Sequence, residues 1–417
     1  MQNNLVQASI ITIGDELMIG QVIDTNSAWI SQELNKKGIW VHRRVSVGDN
    51  YNDIWTTLNE ESTRSKLVLI TGGLGPTADD ITKPLLCKYF NSTMIVNKEV
   101  LEHVQHLFEN VFKRPFTELN RKQAEVPEAC QVIQNTRGTA PGMLFEKDGV
   151  TYISMPGVPH EMKGMMTDHV VPLLQRKFAG GVILHRTLLT AGIGESALAE
   201  HIANWESVLP PQIKLAYLPS YGMVRLRLTG TGVDETILTH ELDLLFSQLK
   251  QLVGEWLVVD QDLSLAQVIS KLLKDRSETM CTAESCTGGY IAHLITSQPG
   301  SSAVFNGSIV AYSNEIKEDV LDVTAATLSA HGAVSEETVK EMLAGALLHL
   351  KSTYGVATSG VMGPDGGTLE KPVGTVWIAA GNHSRMLTQK FQFRFDRSRN
   401  IEITAIQALN LLRKAIS

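Results

Sequence analysis

The residue types most able to do chemistry gather between Thr279 and Lys317. Ser285 stands in a polar hinge, Glu284-Ser285-Cys286-Thr287, followed by Gly288-Gly289. A serine hydroxyl is a weak nucleophile until a base takes its proton. Lysine can be that base when burial or a neighbouring cation lowers its pKa. Tyr312 and Lys317 lie at i and i+5 near the end of a second apolar run, SIVAY, and a tyrosine between serine and lysine can relay the proton or orient the pair. Thr279 to Ala283 reads as a strand. Tyr290, Ile291, Leu294 and Ile295 recur at helical spacing. A strand turning sharply into a helix aims unpaired N–H groups at one point, which suits a phosphate or a developing oxyanion. Ser285, Lys317 and Tyr312, with donors around Thr287, Gly288 and Gly289, outline amide or ester hydrolysis. The alternative for the same residues is a serine-rich helix cap beside a surface Tyr and Lys.

The elements that must hold such a set imply several domains. A chain of 417 residues exceeds one ordinary core and suggests two or three. With 43% hydrophobic and 19% charged residues it reads as a soluble globular protein. Net charge is −7, which gives no support for a nucleic-acid-coating surface. The four cysteines are scattered without a histidine cluster, so free thiols in a reducing cytoplasm are expected rather than zinc. The N-terminal MQNNLVQASIITIGDE lacks the marks of a signal peptide. No run of about 18 apolar residues is present to span a membrane.

In chain order, residues 8–13 read as a buried strand ending in Gly14-Asp15-Glu16. A helix follows with Asn26 or Ser27 as cap and Gly38 as stop, then a strand, IWVHRRVSV, and a helix over about 51–65. Leu67 to Thr71 reads as an apolar strand, Gly72 to Thr77 as a glycine loop, and Asp79 onward as a helix. Alternating strands and helices with glycine loops at strand ends argue for an α/β domain with a mostly parallel sheet. Ligands sit beyond the carboxyl ends of such strands. Asp15, Glu16, Asp79 and Asp80 suit bare phosphate poorly and suit a divalent cation bridging carboxylates to phosphate. Taken singly, Asp79 and Asp80 also read as first-turn acids facing a helix dipole, and Asp15-Glu16 as a solvated turn. Pro156-Gly157 and Pro159 shape a tight loop opening a helix at Glu161.

Residues 171–257 read as a small α+β unit: strand 183–190, helix 195–206, strands 213–218 and 223–229, helix 234–252. Between 181 and 255 five basic residues face eight acids, a poor phosphate-backbone binder, so a connector or dimer-shaping role is expected. VVDQDLSL, 258–265, reads as the last linker, ahead of an amphipathic helix through Leu273. Ser335 caps a helix to about Leu350. Ser359-Gly360 and Gly366-Gly367 fall on a loop after an apolar strand. KPVGTVWIAAG pairs with MLTQKFQFRF, and an amphipathic helix closes the chain.

Three strings, AESCTGG, NGSIVAYSNEIK and ATSGVMGPDGGTLEKPVGTVWIA, resemble the C-terminal domain of the CinA (competence/damage-inducible protein A) family. That domain is similar to nicotinamide mononucleotide (NMN) deamidases. GDE, DTNS, GGLGPTADDIT, NRKQAEVP, NTRGTAPGM and MPGVPHEM resemble the molybdopterin-binding-like N-terminal half of the same family, and the middle unit its KH-like domain. The resemblance implies an α/β protein with three domains: an N-terminal α/β/α domain over 1–170, a KH-like α+β connector over 171–257, and a C-terminal α/β/α domain over 258–417. It implies Ser285 as nucleophile, activated by Tyr312 and Lys317, with Ser359 and Gly360 near substrate. Asp396-Arg397 matches a Gly-Asp-Arg element in which Phe395 replaces the glycine. Arg397 and Arg399 both remain candidates for the substrate phosphate. In the N-terminal domain it implies nucleotide contacts from Gly14, Asp15, Glu16, Asn26, Thr71, Gly72, Gly73, Gly75, Pro76, Thr77, Pro156 and Gly157. A divalent cation (Mg, Mn or Co) would sit at Asp15, Glu16, Asp79 or Asp80, and ADP-ribose would be hydrolysed to AMP and ribose 5-phosphate. The deamidase needs no cofactor. The expected protein is a cytoplasmic homodimer acting on small nucleotides, with no membrane and no nucleic-acid partner. The competing reading is a non-catalytic nucleotide-binding or DNA-uptake accessory protein.

Overall fold

The computed structural model describes residues 5–75, 77, 80–178 and 180–417. The chain forms two compact units. One holds residues up to His185 with 210–214 and 229–243, and the other holds the remainder.

The first unit is built on a six-stranded sheet. Its strands are β1 (Val6–Ile13), β2 (Ile39–Val47), β3 (Leu67–Thr71), β6 (Gln131–Ile133), β7 (Gly142–Lys147) and β8 (Val150–Met155), in the order β2-β1-β3-β8-β7-β6. The first four of that order are parallel, while β7 and β6 are antiparallel additions. Two short strands, β4 (Met94–Val96) and β5 (Glu125–Pro127), pair separately. Strand alternation sends side chains to opposite faces. Ala8 and Ile10 of β1 pack with Ile30 and Leu34 of helix Thr25–Asn35, and with Met162 and Met165 of helix Pro159–Met165. Ile11 and Ile13 pack instead with Ile54 and Leu58 of helix Tyr51–Ser62, and with Leu85 and Leu86 of helix Thr82–Tyr89. This is a three-layer α/β/α arrangement. Val171 and Leu174 belong to the same core, which therefore continues past residue 170.

A four-stranded sheet follows, β9 (Val182–Ala191), β10 (Ile213–Ser220), β11 (Met223–Gly232) and β12 (Leu257–Val259), in the order β10-β11-β9-β12. Leu226 and Leu228 are buried, as the alternation of RLRL requires.

The second unit contains a five-stranded sheet, β13 (Met280–Glu284), β14 (Phe305–Val310), β15 (Tyr354–Gly360), β16 (Thr375–Gly381) and β17 (Met386–Gln392), in the order β14-β13-β15-β16-β17. Met280 and Val356 face helices Leu265–Asp275, Tyr290–Thr296 and Arg397–Ile416. Cys281, Ala283 and Ala357 face helices Asn314–Leu321 and Glu336–Leu350. These layers put Ser285 directly beyond the carboxyl end of β13, between two parallel neighbours, β14 and β15.

Several local expectations are corrected. The cap of helix Thr25–Asn35 is Asp24, whose carboxylate accepts from the Ser27 N–H and hydroxyl, rather than Asn26 or Ser27. The helix expected over 51–65 ends at Ser62. The helix expected from Asp79 begins at Thr82. Pro159, not Glu161, opens its helix, its missing N–H costing nothing in the first turn. The linker expected at 258 begins as strand, since Leu257–Val259 pairs with β9, and the break comes at Ser264, which caps the next helix in a reciprocal box with Gln267. Ser359 and Gly360 are the last residues of β15, not loop.

Candidate active site

The chain crosses from β13 to the next helix through a turn. The Gly288 N–H donates to the Ser285 carbonyl at 3.2 Å. Gly288 and Gly289 have φ of 60° and 93°, a left-handed conformation that glycine adopts without steric cost. The Ser285 N–H donates to the Thr358 carbonyl at 3.0 Å, and the Thr287 and Thr358 hydroxyls lie 2.8 Å apart. β15 thus pins the turn at both ends. Ser285 is 8% exposed, which holds its hydroxyl in a largely water-excluded setting.

Lys317, on helix Asn314–Leu321, reaches the same point. Its Nζ lies 3.2 Å from Ser285 Oγ. It also donates to the carbonyls of Ala311 at 2.8 Å, Tyr312 at 3.3 Å and Ser313 at 3.4 Å. The residue is 1% exposed, and burial lowers its pKa from the ordinary lysine value. A neutral amine keeps two N–H bonds and one lone pair. In that form the two N–H bonds are shared among the three carbonyls, Ala311 the nearest, and the lone pair, in place of the N–H that the charged amine donates to Ser285 Oγ, can accept the Ser285 proton. Cys286 is no rival nucleophile, because burial pushes its thiol up to about 12.

Tyr312 does not stand between the two. Its side chain is 61% exposed and its hydroxyl accepts from Arg397 Nη2 at 2.8 Å. Its link to Lys317 is the backbone carbonyl. Arg397 Nη1 donates to the Gly363 carbonyl at 2.8 Å, so the guanidinium is oriented beside Tyr312. Arg399 points elsewhere. It lies over the Phe395 ring at 5.2 Å and lines a separate cavity of about 510 Å³ with Gly194 and Tyr221. Ser359 is 1% exposed and donates to the Ala333 carbonyl at 2.7 Å, leaving its oxygen only as an acceptor for other groups. Gly360 pairs with Val376 at the end of β15.

The start of helix Tyr290–Thr296 is already filled. Glu284, 0% exposed, accepts from the N–H groups of Gly289 at 3.0 Å, Ile291 at 3.1 Å and Ala292 at 2.8 Å. The Thr282 hydroxyl adds a contact at 3.1 Å. The expected donors at Gly288 and Gly289 are therefore spent. Among the described residues the N–H groups of Cys286 and Thr287 donate to no carbonyl, carboxylate or hydroxyl, and the first is held only by the Cys286 thiol.

In the first unit a cavity of about 550 Å³ opens beyond the carboxyl ends of β1, β3 and β8, lined by Gly14, Gly72, Gly73, Gly75, Pro156 and Gly157. Glu16, Asp49, Asp80 and Glu161 also line it, and no Lys or Arg does so among the described residues. Asn26 donates to the Gly157 carbonyl at 2.7 Å, and Thr71 to that of Pro156 at 2.9 Å, which ties the two loops. Asp80 is not free for a cation, since it accepts from the N–H groups of Gly75 and Thr77 at 2.8 and 2.9 Å and from the Thr77 hydroxyl. Asp15 accepts from the Asp49 N–H and Asp49 from the Asp15 N–H, both at 3.0 Å. No three His, Cys, Asp or Glu side chains gather as a metal site among the described residues. The described donors thus do not fit a preformed divalent-cation site. Asp79 and Pro76 lie outside the described residues.

The family model described as "CinA C-terminal domain" matches residues 262–416, "Damage-inducible protein CinA KH domain" 185–258, and "Probable molybdopterin binding domain" 9–176. A CinA-like protein of Cytophaga hutchinsonii is 49% identical over 414 residues, 99% of this chain and 99% of its own. The chain belongs to the CinA family. A second CinA-like protein, from Flavobacterium psychrophilum, is 45% identical over 99% of both chains. A crystal structure of a competence/damage inducible protein from Agrobacterium tumefaciens is 37% identical, covers 37% of this chain and 94% of its own, and has a TM-score of 0.36.

Three features of this CinA chain escaped the sequence reading. Glu284, read as the first residue of a polar hinge, is the last residue of β13 and the group that caps the next helix, although the glycine at that helix's cap signals that another group must satisfy its N–H donors. The carbonyls of Ala311 to Ser313 around Lys317 have no sequence signature. Glu161, whose carboxyl is raised by burial and held by Asn135 Nδ2 at 2.6 Å, was read only as the start of a helix. No helix among the described residues is long and apolar enough to cross a membrane.

Proposed function

We propose that the C-terminal site hydrolyses the carboxamide of NMN to nicotinate mononucleotide and ammonia. The observation that carries this reading is the buried Lys317 amine 3.2 Å from Ser285 Oγ. Ser285 Oγ bonds to the carboxamide carbon while its proton passes to Lys317 Nζ, and the carbonyl π pair moves onto oxygen. The pair returns, the C–N bond breaks, and the lysine proton leaves with ammonia. Water then attacks the ester, gives a proton to Lys317, and the regenerated Ser285 takes it back. Arg397, oriented by Gly363 and Tyr312, offers a planar donor pair to the substrate phosphate. The test is ammonia release from NMN by the full chain. Ser285→Ala is expected to abolish it, and an undiminished rate sinks the nucleophile assignment.

A second activity is proposed for the first unit: hydrolysis of ADP-ribose to AMP and ribose 5-phosphate. The cavity beyond the β1, β3 and β8 ends, with its glycine loop and Glu161, supports it. Four carboxylates repel a bare pyrophosphate, so a divalent cation bound with the substrate would supply the missing positive charge. AMP formation measured with and without chelator tests this, and AMP formation indifferent to chelator removes the cation.

A further inference from the structure

We infer that Glu284 is a positioning residue that closes the start of helix Tyr290–Thr296 to outside anions. The oxyanion formed at Ser285 is thereby directed to the N–H groups of Cys286 and Thr287. The inference rests on the amide-hydrolysis reading of the site, but not on NMN as the amide.

The argument begins with competition for donors. A carboxylate and a developing oxyanion seek the same N–H groups, and those of Gly289, Ile291 and Ala292 are held by Glu284 at 2.8 to 3.1 Å. Opening them would strand a carboxylate that is 0% exposed and has no ion-pair partner among the described residues. The helix charge is also already neutralised by a group of the protein's own. Two N–H groups in this turn, those of Cys286 and Thr287, donate to no carbonyl, carboxylate or hydroxyl among the described residues, the Cys286 thiol being the one weak partner of the first. The first belongs to the residue directly after the nucleophile. The turn that carries them is anchored by the Gly288 N–H closing on Ser285 and by Thr358 holding both the Ser285 N–H and the Thr287 hydroxyl. The same anchoring keeps this arrangement rigid while charge develops, so no donor has to reorient during the step.

An organofluorophosphonate reads this directly. Ser285 Oγ bonds to phosphorus, fluoride leaves, and the phosphoryl oxygen of the adduct occupies the oxyanion position whatever the natural substrate. In a crystal structure of the adduct of the full chain, that oxygen is expected on the N–H groups of Cys286 and Thr287, with Glu284 still on Gly289, Ile291 and Ala292. An oxygen on Gly289 or Ile291, with Glu284 displaced, overturns the inference. Glu284→Gln keeps the size but turns an amide N–H₂ toward three N–H donors. Labelling rate and kcat for ammonia release are expected to fall at least about 30-fold, with KM changed less than about threefold. Values of both rates within about twofold of the parent, or a rise in KM alone, overturn it. Should the variant not fold, the adduct structure of the parent decides. A parent that labels as described but releases no ammonia from NMN refutes the substrate and leaves the role of Glu284 standing. A parent that does not label refutes both.

Discussion

At the residue scale, Lys317 can act as a base only in its neutral form, and its surroundings set two opposing influences. Burial disfavours the charged amine, while the Cys286 and Glu315 side chains favour it. Burial is the larger, so the pKa falls. Activity then rises with pH as the amine loses its proton, and kcat/KM of the free enzyme should show an ascending limb below the ordinary lysine range. Lys317→Arg keeps a cation that does not deprotonate at working pH, and ammonia release is expected to drop by about 10³-fold or more across the whole profile. Retention of the ascending limb in that variant would transfer the base to another group. Tyr312 separates from Lys317 in this respect. Its hydroxyl meets Arg397, so Tyr312→Phe should act on the anchoring of substrate. KM for NMN is expected to rise about threefold to tenfold with kcat nearly unchanged, as for loss of one contact present in ground and transition states alike. A kcat loss without change in KM would restore the tyrosine to proton transfer.

At the element scale, the position of Lys317 depends on how closely its helix approaches Glu336–Leu350. Gly345 is where they meet: a Cβ there would lie 2.0 Å from the Leu321 carbonyl oxygen, at the end of the helix that carries Lys317. Gly345→Ala must push that helix outward. A destabilisation of about 1–3 kcal/mol is expected, with a fall in kcat larger than the fall in stability explains. Thermal unfolding and kcat on the same preparation check it, and normal kcat in a destabilised variant breaks the link. Much of this scaffold was legible beforehand. The strand ending near Ala283, the glycine pair, the Ser335 cap and the closing helix each carry a local signal, either period or cap chemistry. The partnerships were not legible, because they join residues far apart in sequence. Thr358 on Thr287, Arg397 on Tyr312 and Glu284 across a turn to Ala292 follow from sheet order and helix approach, which spacing does not encode. The same limit explains the metal candidates. Asp80 looks available in the string TADD, yet the loop folds back and uses it for its own N–H groups.

At the scale of the whole molecule, the two candidate sites carry opposite charge within one chain of net charge −7. The C-terminal site presents an exposed Arg397. The N-terminal cavity presents four carboxylates. Each set lies within its own compact unit, so their chemistries should separate by substitution. Glu161→Gln is expected to reduce AMP formation from ADP-ribose by about 10²-fold, the scale of a lost acid–base group, while ammonia release from NMN stays unchanged. Ser285→Ala is expected to do the reverse. Loss of both products in either variant would mean the two reactions share one site. The protein's acidity also bears on the accessory-protein reading, because a binder of nucleic-acid phosphates needs basic residues to displace counterions. Retention of single-stranded DNA at about 50 mM salt that falls steeply by about 200 mM would favour that reading over an enzyme. The expected result is no retention at either salt, since the middle unit, where a KH-like fold would hold a strand, carries five basic residues against eight acids between 181 and 255.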